Sequence, residues 1–282
     1  MGAGCVYARG SSYALPFGAD FLKLMSTGLN RSGLSACVIT YNEADRIEAC
    51  IASLAFCDEI IVVDSHSTDA TRALAAAAAA RVIERDWPGY RSQKQFAVET
   101  ATHDWVLCLD ADERISDDLR DEIIALRESG FLGASGWKFP RCTEYFGRYL
   151  RHGNGYPDRV LRLFDRRTGA WAGREIHEHV EVQGAVARLR GELLHNAYRN
   201  LADQLRRLEN YACLMAQHMH AKGRRAHWWN LLLNPGWRFF RGYIFRGGFL
   251  DGWRGLILAY IEANYVRQKF IKLWLLNHDE KI

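Results

Sequence analysis

The stretch VLCLDADERIS, residues 106–116, runs an apolar segment directly into three acidic side chains within four positions. Asp110 and Asp112 are separated by one residue, so in an extended or turning segment both carboxylates can reach the same side of the chain. Two carboxylates placed in this way can share Mg²⁺ or Mn²⁺, and such cations usually also bind substrate phosphates. The stretch therefore predicts a metal site that takes a nucleotide diphosphate compound.

A structural role is the alternative for part of this stretch. Asp112 and Glu113 could instead cap the helix predicted for the residues that follow, ISDDLRDEIIALRES. For Asp110 this alternative is weaker, because a carboxylate that ends a buried strand requires a partner. Asp110 is accordingly assigned to the site.

The elements that position these carboxylates are short apolar, β-branched runs alternating with helical segments. Such runs predict buried parallel strands, here at 34–40, 59–64, 81–83 and 105–110. The alternation predicts an α/β fold, with a mostly parallel sheet and helices on both faces. In such sheets ligands bind at the carboxyl ends of the strands.

Three polar side chains come where predicted strands end: Asn42, Asp64 and Asp110. Together they predict a polar rim above an apolar sheet. Asn42 is also expected to cap the next helix, with Asp45 at its third position. The segment Ser67-Thr68-Asp69 is expected to open the helix after that one.

Composition narrows the class of protein. Of the 282 residues, 49% are apolar and 25% are charged, as in globular proteins. The seven cysteines are scattered without a Cys-x-x-Cys pair, which argues against a disulfide framework and against a zinc ribbon. Residues 1–30 lack the basic start and unbroken apolar stretch of a signal peptide, and they are predicted to be a disordered extension.

Three motifs resemble the signatures of family 2 inverting glycosyltransferases, in order and in spacing. They are T-Y-N-E at 40–43, V-D-S-x-S-T-D-x-T at 63–71 and L-D-A-D-E at 109–113. The resemblance covers residues 34–180 by motif. It implies a GT-A fold, a nucleotide-sugar donor and a divalent metal, with the catalytic domain at 31–199.

The resemblance also implies roles for individual residues. Asp64 would hydrogen-bond the nucleobase, and Thr40 and Glu43 would line the nucleotide pocket. Asp110 and Asp112 would form the DxD-type motif that holds Mg²⁺ or Mn²⁺, with Asp110 also contacting the donor. Two further motif residues, Asn42 and Asp69, are assigned to the nucleotide-sugar site.

Lys94 lies in RSQKQFAVETA, residues 91–101, whose counterpart in the family lies against the nucleotide. It is therefore assigned to the donor site, where it could approach the phosphates. The alternative is an ordinary amphipathic helix that leaves Lys94 exposed.

The segment WAGREIHEHVEV, residues 171–182, holds the candidate base. An inverting transferase needs a carboxylate or histidine to take the proton of the attacking hydroxyl. Lipopolysaccharide-core members of the family look similar here, which implies that Glu178 is the base and that His177 positions substrate or diphosphate. Glu175 is the rival base, and a charged edge strand is the structural alternative.

Three more residues of the second half have open assignments. Arg159 and Arg162 could contact phosphate or an anionic acceptor, or could be solvated strand residues. His195 lies in an apolar strand context, where a core histidine is the default and a site role the alternative.

The C-terminal region 200–282 differs in composition from the rest of the chain. Trp and Phe residues alternate there with basic ones, and only Asp251 and Glu262 are acidic between 222 and 272. This mixture is typical of a surface that lies on an anionic membrane, although packed aromatic helices or nucleic-acid binding would also suit it. The basic residues are Lys222, Arg224, Arg225, Arg238, Arg241, Arg246, Arg254, Arg267, Lys269 and Lys272.

The sequence thus predicts an inverting, metal-dependent transferase with a C-terminal helical appendage. It would move a hexose, of the glucose or heptose type, to a lipid-linked acceptor in the inner core of lipopolysaccharide. Its expected place is the cytoplasmic face of the bacterial inner membrane, as a peripheral protein, with no nucleic acid as partner. Two alternatives remain: a transferase for a polyprenyl-phosphate or other envelope acceptor, and a non-catalytic nucleotide-binding protein on the membrane.

Overall fold

The computed structural model describes residues 32–174 and 177–280, apart from the side chains of Arg174 and His177. The predicted extension 1–30 and the rival base Glu175 lie outside the described residues. So does the side chain of His177.

The strands are β1 Leu34–Thr40, β2 Glu59–Asp64, β3 Arg81–Glu84, β4 Trp105–Asp110, β5 Glu113–Ile115, β6 Gly136–Tyr145, β7 Arg148–Tyr149, β8 Asp158–Asp165, β9 Gly169–Arg174, β10 His177–Val182, β11 Val186–Arg188 and β12 Leu193–His195. The α-helices are α1 Ile47–Ser53, α2 Thr71–Ala77, α3 Tyr90–Thr100, α4 Asp117–Glu128, α5 Leu201–Ala221, α6 Trp228–Phe240 and α7 Gly252–Leu276. A π-helical turn, Arg241–Phe245, and a 3₁₀ turn, Gly248–Asp251, join α6 to α7.

The main sheet has the strand order β3-β2-β1-β4-β8-β6-β12-β5. Its first four strands are parallel, as predicted. From β8 onward the sheet is mixed, because β8 runs antiparallel to both β4 and β6. The α/β fold with a C-terminal helical appendage is therefore confirmed, and the parallel part is the part that carries the motifs.

Helices cover both faces of the parallel strands. One face packs Val38 and Leu107 against Ile47 of α1 and Ile123 of α4. The other face packs its apolar residues, such as Cys37, against Ala97 and Val98 of α3. Because neither face meets water, β1 is buried along its whole length, as its unbroken apolar sequence predicts.

The predicted helix starts were wrong at two places, and the alternative cap of a third helix was wrong as well. Helix α1 begins at Ile47, because Asn42 adopts a left-handed backbone conformation with φ 53° and accepts a hydrogen bond from the Thr68 backbone N–H at 2.8 Å. Helix α2 likewise begins two residues after Asp69. The cap of α4 is Ser116, which leaves Glu113 in strand β5.

The C-terminal helices pack on the sheet domain rather than standing apart from it. Ile261 of α7 contacts Tyr145 and Leu150 around the β6–β7 hairpin. The Tyr145 hydroxyl donates to Gln204 of α5 at 2.9 Å. In the described part of the chain, every helix is too short or too polar to cross a bilayer. The division into 31–199 and 200–282 stays a prediction.

Candidate active site

The polar rim lies where β1, β2 and β4 end side by side. Thr40 pairs with Asp64 on one side, and Ile39 pairs with Asp110 on the other. Three strand ends are therefore neighbours at one edge of the sheet, as the parallel pattern predicts. The rim is defined here as Thr40, Asp64, Asp110 and Asp112, together with the side chains that contact them.

Asp110 is held by two cations. The Lys94 ammonium lies 3.0 Å from Oδ1 and 3.1 Å from Oδ2, and Arg162 donates to Oδ2 at 3.1 Å. Burial alone would raise the pKa of the Asp110 carboxyl, but the charges of Lys94 and Arg162 outweigh burial and hold it well below its usual range. Asp110 is therefore a carboxylate at neutral pH, with its charge already balanced.

Lys94 joins Asp110 to the candidate base. Its Nζ donates to Glu178 Oε1 at 3.0 Å, and its side chain lies over the Trp171 ring at 4.9 Å. Helix α3 supplies Lys94, and the β9–β10 hairpin that carries Glu178 is fixed to that helix by a hydrogen bond from the Trp171 backbone N–H to Gln95, at 2.9 Å. Lys94 is only 4% exposed, so the alternative of an exposed lysine on an amphipathic helix was wrong.

Glu113 has a structural role in the rim. It is fully buried, and its Oε2 accepts a hydrogen bond from the Asp110 backbone N–H at 3.0 Å. Its Oε1 faces Arg141 at 3.3 Å and Arg162 at 3.4 Å. Glu113 therefore fixes the turn after β4. Arg162 contacts the carboxylates of both Asp110 and Glu113, so it is not a solvated strand residue.

Asp112 lies beside His195, for which the sequence pattern predicted a core position by default. His195 Nε2 lies 3.6 Å from Asp112 Oδ2, and Arg46 Nη1 lies 3.7 Å from the same oxygen. The contact arises because β12 pairs with β5, which places His195 opposite Glu113, one residue from Asp112. Carboxylate and imidazole are both side-chain types that bind divalent cations in proteins.

A complete protein cage for a metal is absent from residues 32–174 and 177–280, where no three His, Cys, Asp or Glu side chains converge. Mg²⁺ commonly takes only one or two protein carboxylates and completes its shell with water and substrate phosphates. Asp112 and His195 fit that arrangement, whereas Asp110 is engaged by Lys94 and Arg162. The metal prediction stays a prediction for both aspartates, and the geometry favours Asp112.

The carboxylate oxygens of Asp64 and Asp69 accept hydrogen bonds from neighbouring backbone N–H and hydroxyl groups. Asp64 accepts from the Ser67 N–H at 2.7 Å and from the Ser67 hydroxyl at 2.5 Å. Asp69 accepts from the Thr71 N–H at 3.0 Å and from the Ala44 N–H at 3.2 Å. Both residues therefore shape the loops beside β1, and their nucleotide-binding roles stay predictions.

Seven buried polar atoms at or beside the rim make no hydrogen bond within the described residues. Two of them, Arg46 Nε and Asp110 Oδ1, lie in ion pairs, and the other five are Thr40 Oγ1, Arg46 Nη2, Arg162 Nη1, Trp171 Nε1 and His195 Nδ1. Buried polar groups are almost always paired in folded proteins. Several unpaired polar atoms around one edge of the sheet are what a site for a polar ligand would leave.

Glu43 lies between Arg46, at 2.9 Å, and Arg199, at 3.0 Å. Burial raises the pKa of Glu43 to about 7, against the opposing effect of both arginines. Arg199 also contacts Asp45 at 3.0 Å and donates to the Asn42 carbonyl at 2.8 Å. Glu43 thus connects the end of β1 to the segment that leads into α5.

The raised pKa of Glu43 predicts a pH effect on stability. Between its ordinary pKa of 4.5 and the folded value of about 7, the folded protein retains a proton that the unfolded chain releases. The contribution of this group to folding is therefore complete below 4.5 and is lost as the pH rises to 7. We expect Glu43→Gln to gain stability relative to the unsubstituted protein as the pH rises from 5 to 8, measured by urea unfolding at each pH.

Glu48→Gln is the matched control, because Glu48 is an exposed glutamate on α1. Its stability difference from the unsubstituted protein should stay constant over the same range. A constant difference for Glu43→Gln as well would contradict the raised pKa.

The remaining predicted residues lie at different places relative to the rim. Glu178 is at the rim, while Arg159 is exposed on β8. His177 begins β10, where the neighbouring residues Glu178 and His179 lie on opposite faces of the strand.

Comparison with known proteins finds a family model and relatives that match most or more than half of the chain. The family model described as Glycosyl transferase family 2 matches residues 35–189, just over half of the chain. The lipopolysaccharide core biosynthesis glycosyltransferase LpsC of Rhizobium meliloti is 33% identical over 254 residues, which cover 84% of this chain and 92% of that protein. An uncharacterized glycosyltransferase of Rickettsia felis is 29% identical and covers 82% of this chain and 85% of its own.

Solved structures show the same fold at low identity. The mannosyltransferase PcManGT of Pyrobaculum calidifontis, in complex with GDP-Man and Mn²⁺, has a TM-score of 0.50 and 16% identity. The match covers 89% of this chain and 92% of that one, so it includes most of the helical appendage as well as the sheet.

Proposed function

The chain belongs to glycosyl transferase family 2, and from this premise we propose that it is an inverting transferase which uses a nucleotide diphosphate sugar. The donor sugar would be a hexose of the glucose type, or a heptose. The acceptor would be a lipid-linked saccharide of the lipopolysaccharide inner core. The 33% identity with LpsC over most of both chains supports this choice of acceptor.

The observation that carries the proposal is the arrangement around Lys94. A single buried ammonium contacts the aspartate that begins the DxD-type motif and the carboxylate assigned as the base, both at about 3 Å. The motif and the base come from β4 and β10, which are far apart in sequence. Their meeting at one cation supports a shared active site.

In the proposed step Glu178 accepts the proton of the acceptor hydroxyl. The hydroxyl oxygen forms a bond to the anomeric carbon, while the bond from that carbon to the diphosphate oxygen breaks on the opposite face. The diphosphate leaves with the electron pair. Glu178 suits this role because its side chain is 17% exposed and can reach a bound hydroxyl.

The leaving diphosphate needs positive charge near it. A divalent cation, when bound, would supply Lewis-acid stabilisation of the departing group. Asp112 and His195 would hold that cation. Lys94 and Arg162 keep Asp110 ionised, and the unpaired Arg162 Nη1 can donate to a donor oxygen.

An anionic membrane surface is proposed as a further partner. Residues along α6 and the turns after it expose large apolar side chains, among them Trp237, Phe240 and Phe245. Arg241 and Arg246 lie in the same segment. Exposed aromatics mixed with basic residues are typical of proteins that lie in the interface of an anionic bilayer, where each basic residue adds about 1 kcal/mol. This supports a peripheral position at the cytoplasmic face.

A thermal-shift panel of nucleotide diphosphate sugars, each with and without Mn²⁺, tests the donor and metal together. A ligand that binds only the folded state raises the unfolding temperature by mass action. We expect one donor to raise it in the presence of Mn²⁺, and we expect Asp112→Ala and His195→Ala to lose the metal-dependent part.

Asp121→Ala is the control, because Asp121 is an exposed aspartate on α4 away from the rim. It should keep the full shift. If no donor shifts a folded sample, the transferase assignment fails; if Asp112→Ala keeps the metal effect, the assigned metal donors are wrong.

A further inference from the structure

An apolar cavity lies in the helical appendage, away from the polar rim. It is a groove of about 530 Å³ between α6 and α7, within the size range of small-molecule sites. Its lining residues are Leu231, Leu232, Pro235, Gly236, Phe239, Tyr260, Ala263, Arg267 and Ile271. No residue of the rim is among them, so the groove is separate from the proposed active site.

Small residues at facing positions explain why the groove exists. Packed helices normally fill the space between them with interlocking side chains. Here Pro235 and Gly236 of α6 face Ala263 of α7, and a side chain built at Gly236 would meet nothing within 4 Å. The two helices are held together beside the gap by Leu231, Val266 and Phe270. The gap is therefore a stable feature of the packing.

The mouth of the groove is apolar and open. Leu232 is 67% exposed and Tyr260 is 64% exposed. Contiguous exposed apolar surface of this kind marks a binding surface in soluble proteins. Leu232 is also adjacent to the exposed face of α6, so the groove opens beside the proposed membrane surface.

The charge at the groove is positive. Of the lining residues in the described part of the chain, Arg267 alone is charged, and it has no acidic partner there. The two acids of the segment are engaged elsewhere: Asp251 is buried against His152, at 3.0 Å, and Glu262 contacts Arg238 at 3.2 Å. An apolar channel with a cation at its edge is complementary to a hydrocarbon chain that carries an anionic head.

We propose that the α6–α7 groove seats one acyl chain of an anionic bilayer phospholipid, with the lipid phosphate at Arg267. The inference rests on the proposed membrane association and adds a discrete lipid site to it. Surface attraction alone would hold the protein near the bilayer, whereas a seated acyl chain would also fix the orientation of α6 and α7. The site differs from the acceptor site, which belongs to the rim.

Titration calorimetry of the full chain with a short-chain phosphatidylglycerol, below the concentration at which it forms micelles, tests the proposal. We expect saturable binding of one lipid per chain and at least tenfold weaker binding of the matching phosphatidylcholine. Gly236→Leu should weaken binding at least tenfold, because leucine fills the groove. The substitution replaces a helix-interior glycine by a better helix former, so folding should be preserved.

Gly155→Leu is the matched control, because it also adds a leucine into open space, in an exposed loop outside the groove. It should bind lipid as the unsubstituted protein does. Arg267→Gln should remove the preference for phosphatidylglycerol, whereas Arg225→Gln, an exposed arginine of the same basic segment, should retain it.

Equal lipid binding by the Gly236 and Gly155 variants would overturn the proposal. So would dimers that light scattering detects and that Gly236→Leu abolishes, because a second copy would then cover the groove. The donor-dependent thermal shift is measured on the same samples. If the donor-dependent thermal shift is lost, the result contradicts the transferase proposal. If lipid binding alone is lost, the result contradicts only the proposal of a lipid site in the groove.

Discussion

Glu178→Gln should lower kcat by about 10²–10⁴-fold while leaving donor binding intact, the range expected when a general base is removed. Glutamine has nearly the same size but cannot accept the proton of the acceptor hydroxyl at neutral pH. Its amide oxygen can still accept from Lys94, which remains paired with Asp110. The measurement is sugar transfer to the acceptor at saturating donor, with the donor thermal shift recorded on the same sample.

Glu181→Gln is the matched control for this experiment. Glu181 lies three residues further along β10, 70% exposed, with His179 as its partner at 3.0 Å. It should retain full activity. Near-normal turnover by Glu178→Gln would refute the base assignment, and Glu175→Gln would then test the rival. Analysis of the product by NMR should show inversion at the anomeric carbon.

Lys94→Met should destabilise the fold and abolish transfer together. Removing one partner of a buried ion pair costs about 3–5 kcal/mol, because the remaining charge is left uncompensated. Here the single substitution leaves both Asp110 and Glu178 without their shared ammonium, although Asp110 keeps Arg162 at 3.1 Å. The free energy of unfolding in urea measures the loss.

Lys272→Met separates this effect from the loss of any lysine. Lys272 contacts Glu209 at 2.7 Å in the appendage, where Glu209 is 47% exposed, and pairs that are open to solvent are worth about 0–1 kcal/mol. Adding Glu178→Gln to Lys94→Met should recover part of the lost stability, because Glu178 is left uncompensated whereas Asp110 keeps Arg162. A loss below about 1 kcal/mol for Lys94→Met would mean that the Lys94 bridge does not contribute in solution.

Local sequence accounts for much of the catalytic sheet. The runs 34–40, 59–64 and 105–110 are apolar without alternation, and they form the parallel strands β1, β2 and β4. Because parallel strands end at one edge, the residues that follow them were predicted to meet, and they do. Burial patterns and strand ends are encoded within a few residues, so a single sequence is enough to find them.

Helix starts were less predictable, because several side chains compete for the same backbone donors. Asn42 could cap a helix, but it instead accepts from Thr68 in the next loop. Ser116, rather than Asp112 or Glu113, caps α4. Each of these choices depends on a neighbour from another segment, which local propensity does not contain.

The chain by itself thus determined the α/β fold, the family and the position of the acidic rim. Only the tertiary structure decided which partners each charge has. Lys94 meets Glu178 across 84 residues, and His195 reaches Asp112 through the pairing of β12 with β5. These contacts depend on strand order and on the packing of β9–β10 against α3. The physical reason is that local composition determines which segments are buried. The pairing of buried charges depends instead on which distant segments the folded sheet brings together.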